Sequence, residues 1–145
     1  MKYTAEVEIN QPVNKVVELF DNPDNMKKWM EGLQSFETIS GTPGQEGARA
    51  KLHFKMGKRE IEMIETITKR NLPEEFTSTY EAKGVFNIAK NSFIPIDENK
   101  TKYVTEQEFQ FRGFMKLMGA VMPGVFKKQT LKYMNAFKEF SEKQN

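Results

Sequence analysis

The chain has 145 residues, of which 38% are hydrophobic and 29% charged, and its formal net charge is +2. This length suits one domain with a hydrophobic core, and the composition is typical of a globular protein in water. The absence of cysteine excludes disulfides, thiolate metal ligands and cysteine nucleophiles. The N-terminal residues contain no apolar run of signal-peptide length. We therefore expect one domain spanning 1–145, located in the cytoplasm.

Positive charge is concentrated near the C-terminus. From Arg112 onward the chain has seven lysine or arginine residues and two acidic ones, a local charge of +5, so residues 1–111 carry −3. A basic segment can attract nucleic acid or an acidic membrane surface. Because the sequence has no arginine cluster and no recognised nucleic-acid motif, we interpret these lysines as the solvated face of an amphipathic helix. We expect no nucleic-acid partner.

The N-terminal third begins with a strand and continues with helices. Residues 1–10 alternate between apolar and polar side chains, which predicts a half-buried strand. Asn10 is expected to cap a short helix that has Pro12 in its first turn. A second short helix is expected to begin at Asp24 and to stop at Gly32.

From Leu33 onward the hydrophobic period changes to that of strands separated by turn residues. The predicted strands span residues 33–40, 48–56, 59–69, 75–82, 85–94 and 101–111. Gly57-Lys58 and Lys83-Gly84 are predicted as tight hairpin turns. Because such short connections cannot join parallel neighbours, the strands should form an antiparallel meander.

After Phe126 apolar residues recur every three or four positions, which predicts a long amphipathic helix. The preceding segment, 114–124, has three methionines and two glycines beside Pro123. Pro123 should break the helix, and methionine suits a surface that repacks around varied partners. We therefore predict a flexible lid over a cavity mouth. The apolar run is shorter than the ~20 residues of a spanning helix, so we expect no integral membrane segment.

The order of elements predicts an α+β fold. One curved antiparallel sheet of seven strands would grip the long C-terminal helix, and two short helices would follow the first strand. This arrangement buries the apolar faces of the sheet and of the helix in the fewest layers.

Residues with obvious chemistry are few. His53 is the only histidine, and alternation places it on the polar face of its strand, so we interpret it as an exposed strand residue. Without a second histidine or a cysteine, the common zinc patterns and nucleophile signatures are missing. We expect no metal and no cofactor.

Two other features have structural interpretations. The glycine-bearing loop 41–47 joins two strands rather than preceding a helix, so a hairpin loop is favoured over a phosphate cradle. A mobile flap at a cavity mouth is compatible with this loop. Trp29 would either contact a ligand or pack the short helices onto the sheet, and we favour packing.

Several polar residues fall in phase with apolar positions on the strands, namely Glu65, Asn87, Asn91, Thr105 and Gln107. Burying such groups without water or partners costs a few kcal/mol each. A wet or ligand-filled cavity would satisfy them, whereas a β-bulge would turn some of them outward. The opposite face of strand 85–94 is also apolar. Both alternatives stay open, as does the inward face of strands 59–69 and 85–94.

The whole pattern, over residues 3–142, resembles the START-like, helix-grip (SRPBCC) superfamily, and most closely its bacterial polyketide cyclase/dehydrase-type proteins. The matching segments are INQPVNKVVELF, DNPDNMKKWMEGLQSFE with its single tryptophan, ARAKLHF, IEMIETITKRNLPEEFTSTYE and the closing amphipathic helix. The resemblance implies a hydrophobic ligand cavity between the sheet and the C-terminal helix. It implies no catalytic residue, because the superfamily shares no catalytic motif.

Binding of a small hydrophobic or amphipathic ligand, lipid-like or polyketide-like, is the leading functional hypothesis. Such cavities are mostly apolar with a few polar groups. The predicted lining residues are Phe54, Met56, Met63, Tyr80, Asn87, Asn91, Tyr103, Gln107, Phe109, Met118, Met122, Phe126 and Tyr133. One alternative is a polyketide cyclase/dehydrase-type enzyme with a tyrosine, Glu65 or an aspartate as acid or base. Another is a cochaperone-like interaction module that uses the basic C-terminal helix.

Overall fold

A computed structural model describes all residues from 1 to 145. The strands are β1 Lys2–Ile9, β2 Leu33–Ser40, β3 Arg49–Met56, β4 Arg59–Asn71, β5 Glu75–Ala82, β6 Val85–Asp97 and β7 Lys100–Phe111. The helices are α1 Val13–Phe20, α2 Met26–Trp29, α3 Phe114–Val121 and α4 Pro123–Glu142, with a 3₁₀ turn at Pro23–Asn25. The predicted order of elements is confirmed.

The seven strands form one antiparallel sheet in the order β1-β7-β6-β5-β4-β3-β2. Consecutive strands from β2 to β7 are neighbours, and β1 closes the order by pairing with β7. The hairpin turns at Gly57-Lys58 and Lys83-Gly84 are confirmed. β4 and β6 extend to Asn71 and Asp97, two and three residues beyond the predicted ends. The seven-stranded helix-grip fold is therefore the fold of this chain.

The predicted cap at Asn10 is wrong. Helix α1 begins at Val13 with Pro12 in the capping position, and no side chain caps it. Asn10 lies too far upstream to reach the first turn. Its backbone N–H instead donates to Glu142 Oε2 at 2.8 Å, so it ties the end of β1 to the last turn of α4.

The predicted second helix is also corrected at its start. Asn22, and not Asp24, is the capping residue, since Asn22 Oδ1 accepts from the Asp24 backbone N–H at 3.0 Å. A 3₁₀ turn follows, and α2 itself ends at Trp29 rather than continuing to Gly32. Asn22 and Asp24 are both favoured N-cap residue types, so the sequence does not distinguish them. Only the geometry of the turn does.

The model shows which face of the long strands points inward. Glu65 and Ile67 are buried on β4, and Ala89, Asn91 and Phe93 are buried on β6. The alternation of β strands therefore places the odd-numbered residues of β6, and those of β4 up to Ile67, on the side of the helices. A register shift after Ile67 turns Arg70 toward the same side.

The main core lies where α1, α2 and α4 meet β1, β6 and β7. Phe137 of α4 is fully buried, and its ring centroid lies 5.7 Å from Phe20, 5.1 Å from Trp29 and 5.8 Å from Tyr103. A second cluster is formed by Leu33, Ala50, Leu52 and Phe54. Met26 and Met30 pack against both clusters, so the two apolar clusters of the sheet are linked through α2.

The predicted break of the C-terminal helix is confirmed. α3 ends at Val121, Met122 has φ −130° and ψ 55°, and α4 begins at Pro123. Gly119 lets α3 approach β7 closely, because a Cβ atom there would lie 2.6 Å from the ring of Phe111. The two helices are therefore separate segments, and each makes its own contacts with the sheet.

Replacing the central ring of the main core should destabilise the fold. We expect Phe137→Ala to lower the free energy of unfolding by about 3–5 kcal/mol, because the side chain is fully buried among aromatic rings. Phe114→Ala is the matched control, since Phe114 is 73% exposed and its loss should change stability by less than about 0.5 kcal/mol. Urea denaturation of both variants checks this. Equal stability losses in the two would contradict the packing described.

Candidate functional site

A strip of polar side chains crosses the inward face of the sheet between the two apolar clusters. Glu65 of β4 pairs with Tyr80 of β5, and Tyr80 pairs with Asn87 of β6. Residues of the same strip on these strands and on β7 are Ser78, Asn91, Thr105 and Gln107. Because antiparallel pairing sets side chains of directly opposed residues on one face, the strip is contiguous.

Glu65 and Tyr80 form a buried hydrogen-bonded pair. The Tyr80 hydroxyl donates to Glu65 Oε2 at 2.8 Å. Burial raises the pKa of Glu65, and the hydrogen bond from Tyr80 opposes part of that rise. Burial, followed by the charge on Glu65, raises the pKa of Tyr80 well above its usual range. Glu65 is therefore a carboxyl group held in an environment that favours its neutral form.

The amides beside this pair also bond to one another. Asn87 Nδ2 donates to Gln107 Oε1 at 2.9 Å and to the carbonyl oxygen of Glu108 at 3.0 Å. Gln107 Nε2 donates to Thr105 Oγ1 at 2.8 Å. The chain of amides crosses from β6 to β7 and keeps both side chains directed inward.

A third group lies nearer the main core. The Tyr103 hydroxyl donates to Asn91 Oδ1 at 3.2 Å, and Asn91 Nδ2 donates to the carbonyl oxygen of Phe76 at 3.3 Å. Burial raises the pKa of Tyr103 above its usual range. The Ser78 hydroxyl is buried nearby without a hydrogen-bond partner. The sequence left open whether these polar residues point inward or are turned outward by a β-bulge. In the structure they point inward and are largely paired, and no bulge turns them outward.

The space above this strip is only partly filled. α4 packs on β1 and α2, while α1 contacts β6 and β7. The inward side chains farther along the sheet are half-buried, among them Met63, Tyr80, Asn87, Gln107 and Phe109. Ser78, Asn91 and Thr105 in the strip are buried beneath the helices and the core, whereas Tyr80, Asn87 and Gln107 stay partly exposed.

Neither of two depressions in the surface is the expected apolar cavity. One, of about 530 Å³, lies on the outside at Asn10 and residues 97–100. The other borders Glu65 under loop 41–47 and has a volume of about 10 Å³, enough for about one water molecule. In this conformation the inward face is a shallow cleft, and a ligand of ordinary size requires it to widen.

Loop 41–47 is fixed by Arg70 over the Glu65 end of the cleft. The Arg70 guanidinium donates to both carboxylate oxygens of Asp21 at 2.6 Å and to the carbonyl oxygen of Gly44 at 3.1 Å. Its backbone N–H donates to Glu46 Oε1 at 2.9 Å. The loop, the end of α1 and β4 are thus connected through one side chain, which nothing in the sequence pattern indicated.

The predicted lining residues do not form one cavity wall. Asn87 with Gln107, Asn91 with Tyr103, and Tyr80 with Met63 lie on the polar strip or beside it. Phe109 and Phe126 pack against each other at 5.0 Å between ring centroids, whereas Phe54 belongs to the second apolar cluster. Met118 and Tyr133 are half-buried. Met56 and Met122 are 36% and 45% exposed, at the end of β3 and at the break between α3 and α4.

Two polar residues of the inward face, Ser78 and Tyr3, were not predicted as site residues from the sequence. Ser78 follows the alternation of Tyr80 on β5, and that spacing could have found it. Tyr3 of β1 shares a hydrogen bond with Thr130 of α4, with 2.6 Å between the oxygen atoms. Its distant partner left no local signal in the sequence.

The two aromatic side chains singled out in the sequence have ordinary structural roles. His53 is directed outward, with Nε2 3.7 Å from Glu60 Oε1. Trp29 is buried against Phe20 and Phe137, which agrees with the packing interpretation. Its indole Nε1 is buried without a partner. No helix combines the length and hydrophobicity needed to cross a bilayer.

Neutralising Glu65 should stabilise the protein at neutral pH. Since the pKa of Glu65 is raised in the folded state, its protonated form favours folding, and that contribution is lost as pH rises through the folded-state pKa. We expect Glu65→Gln to raise the melting temperature at pH 7. The gain should disappear below the ordinary pKa of 4.5.

Glu62→Gln is the matched control, because Glu62 lies exposed on the outward face of the same strand. Melting curves between pH 4 and pH 8 compare the two variants with the wild type. A gain for Glu65→Gln that did not change with pH would contradict the burial of an ionisable carboxyl at this position.

The seven-stranded antiparallel sheet and the long C-terminal helix define the chain as a helix-grip domain. The family model described as "Polyketide cyclase / dehydrase and lipid transport" matches residues 1–138. The chain belongs to this family. A comparison with the sequences of characterised proteins found no match.

Solved structures of low sequence identity share the fold. A conserved protein from Geobacillus kaustophilus is 18% identical over 99% of this chain and 96% of its own, with a TM-score of 0.82. The Zhui aromatase/cyclase from Streptomyces sp. R1128 is 12% identical over 98% and 93%, with a TM-score of 0.79. Norcoclaurine synthase from Thalictrum flavum, in complex with dopamine and hydroxybenzaldehyde, is 14% identical over 100% and 88%, with a TM-score of 0.75.

Proposed function

We propose that the chain binds a small amphipathic molecule on the inward face of β4–β7, beside α4. The observation that carries this proposal is the polar strip between two apolar clusters. A protein that only needed a stable core would place apolar side chains there, because polar groups without water or partners are costly to bury. Mostly apolar walls with a few placed polar groups are what binding sites for small molecules require.

The strip favours a ligand with a hydroxyl or carbonyl group on an apolar body. Asn87 and Gln107 offer amide groups, and Ser78 offers a buried hydroxyl without a partner. The phenylalanines of β7 and α4, Phe109 and Phe126, supply an apolar wall. The compounds named in the norcoclaurine synthase complex are aromatic and carry such oxygen groups, which supports the same ligand chemistry here.

Mass spectrometry of the intact protein under native conditions tests the binding proposal. We expect a co-purified small molecule, or binding of palmitate or of the dye 8-anilinonaphthalene-1-sulfonate with fluorescence gain. Absence of a co-purified mass together with no binding of either probe would contradict the proposal.

The polar strip itself is tested with a pair of probes that differ by one hydroxyl group, 2-naphthol and naphthalene. Gln107→Leu should weaken 2-naphthol binding by about 5- to 10-fold, because a hydrogen bond contributes about 1 kcal/mol. Naphthalene binding should not change. Gln110→Leu is the matched control, since Gln110 is exposed on the outward face of the same strand. Equal losses for the two probes, or none, would count against an orienting role for Gln107.

A second candidate function is proton transfer to the carbonyl group of a bound ligand. The observation that favours it is the Glu65–Tyr80 pair, in which a carboxyl with raised pKa lies inside the proposed site. A carboxyl group whose pKa is raised stays protonated to a higher pH than an ordinary one, as a general acid requires. Turnover of a polyketide-like substrate that persisted in Glu65→Gln and in Tyr80→Phe would exclude this role while leaving binding intact.

A further inference from the structure

The outer side of α3 and the start of α4 expose a row of large apolar side chains. Phe114 is 73% exposed, Leu117 59%, Val121 68%, Met122 45% and Val125 50%. We call these five residues the α3 apolar face. Their spacing of three and four residues places them along one side of the helix and across the break at Pro123.

Packing within the fold does not account for this face. α3 already uses its other side, where Gly119 lies against the Phe111 ring and Met115 lies against Gly84. An amphipathic surface helix needs one apolar stripe toward the core, and this helix has a second one toward solvent. A contiguous exposed apolar patch is a mark of an interaction site.

The chain segment that carries the α3 apolar face has charge of one sign. Between residues 109 and 138 the chain has six lysine or arginine residues and no acidic residue. Lys116, Lys127 and Lys128 are exposed. None of the three makes an ion pair, in contrast to Lys132 with Glu31 and Lys138 with Glu142. The apolar row therefore stands beside free cations.

We propose that the α3 apolar face, with Lys116, Lys127 and Lys128, docks the protein onto the surface of an anionic lipid bilayer. The apolar side chains would enter the boundary between headgroups and acyl chains, and the lysines would contact anionic headgroups. The helix lies in the interface and does not span the membrane. This inference rests on the surface of α3 and stands independently of the proposed ligand.

Charge distinguishes a bilayer from a second copy of the chain as the occupant. A two-fold dimer through this face would bring the same three lysines of both copies together. Like charges across an interface oppose association. The same lysines attract an anionic bilayer. A bilayer has no fixed binding groove, so the length of the row of apolar side chains does not limit its insertion.

The proposed surface is continuous with the inward face of the sheet. Gly119 of α3 contacts Phe111, whose ring lies 5.9 Å from Phe109 and 5.1 Å from Phe126. A bilayer that held the outer side of α3 would thus lie one helix thickness from the proposed ligand site.

Co-sedimentation of the full chain with vesicles tests the proposal. We expect binding to vesicles of phosphatidylcholine and phosphatidylglycerol at a ratio of 3:1, weak binding to phosphatidylcholine alone, and weaker binding to the mixed vesicles at 0.5 M salt, because salt screens the lysines. Absence of binding to the mixed vesicles at low salt would overturn the proposal, as would equal binding to both vesicle types.

Variants on and away from the α3 apolar face test whether this face binds the vesicles. Lys127→Gln with Lys128→Gln should weaken binding by about fivefold for each lysine removed, and Leu117→Glu with Val121→Glu should reduce it at least as much. The controls are Lys51→Gln with Lys55→Gln, on exposed positions of β3, and Ile94→Glu, at an exposed apolar position of β6. Circular dichroism checks folding. Equal losses in the controls, or a dimer in solution that Leu117→Glu dissociates, would overturn the assignment to a bilayer.

Discussion

The structure depends on one constraint: the polar side chains on the inward face of β4–β7 must be paired or solvated. Glu65 meets this requirement through its hydrogen bond with Tyr80, and Asn87 and Gln107 meet it by bonding to each other and by staying partly exposed. An apolar helix laid over them would leave their remaining hydrogen-bonding capacity buried and unsatisfied. α4 instead packs along β1, and the half of the sheet from β3 to β5 is contacted only by the short helices, through Phe20 against Phe76 and Met26 against the second cluster. The open cleft follows from the chemistry of the strip.

The C-terminal helical segment is divided at Pro123 into two helices with different contacts. Phe137 in the later turns of α4 anchors the helix in the main core, while Pro123 separates that anchored part from α3. Because α3 makes few contacts, it is free to differ in position without disturbing the core. A lid role for α3, which its methionines suggested, stays a prediction. Membrane docking would use the opposite side of the same helix.

Much of the fold could be predicted from the sequence, because alternation and turn residues report local geometry directly. The order of the strands, the hairpins at Gly57 and Gly84 and the break at Pro123 all belong to this class, whereas the ends of β4 and β6 were placed two and three residues too early. The caps at Asn10 and Asp24 were wrong, since several polar residues near a helix start offer the same signal and only backbone geometry selects one.

The candidate site was harder to predict from the sequence than the fold. Alternation identified Glu65 and Asn87 as in phase with the apolar face, but it could not tell a bulged strand from a paired polar strip. Contacts between distant segments, such as Arg70 with Asp21 and Tyr3 with Thr130, carry no local pattern. The extent of the cleft depends on where α4 rests across the sheet, which is set by tertiary packing.

The most direct test of the ligand site is an NMR titration of the labelled protein with palmitate, followed through the side-chain amide signals. We expect the signals of Asn87 and Gln107 to move in proportion to occupancy, while the signal of Gln110, on the outward face of β7, stays in place. Shifts confined to α3 and the outward face, with Asn87 and Gln107 unchanged at saturation, would contradict the assignment of the inward strip as the binding site.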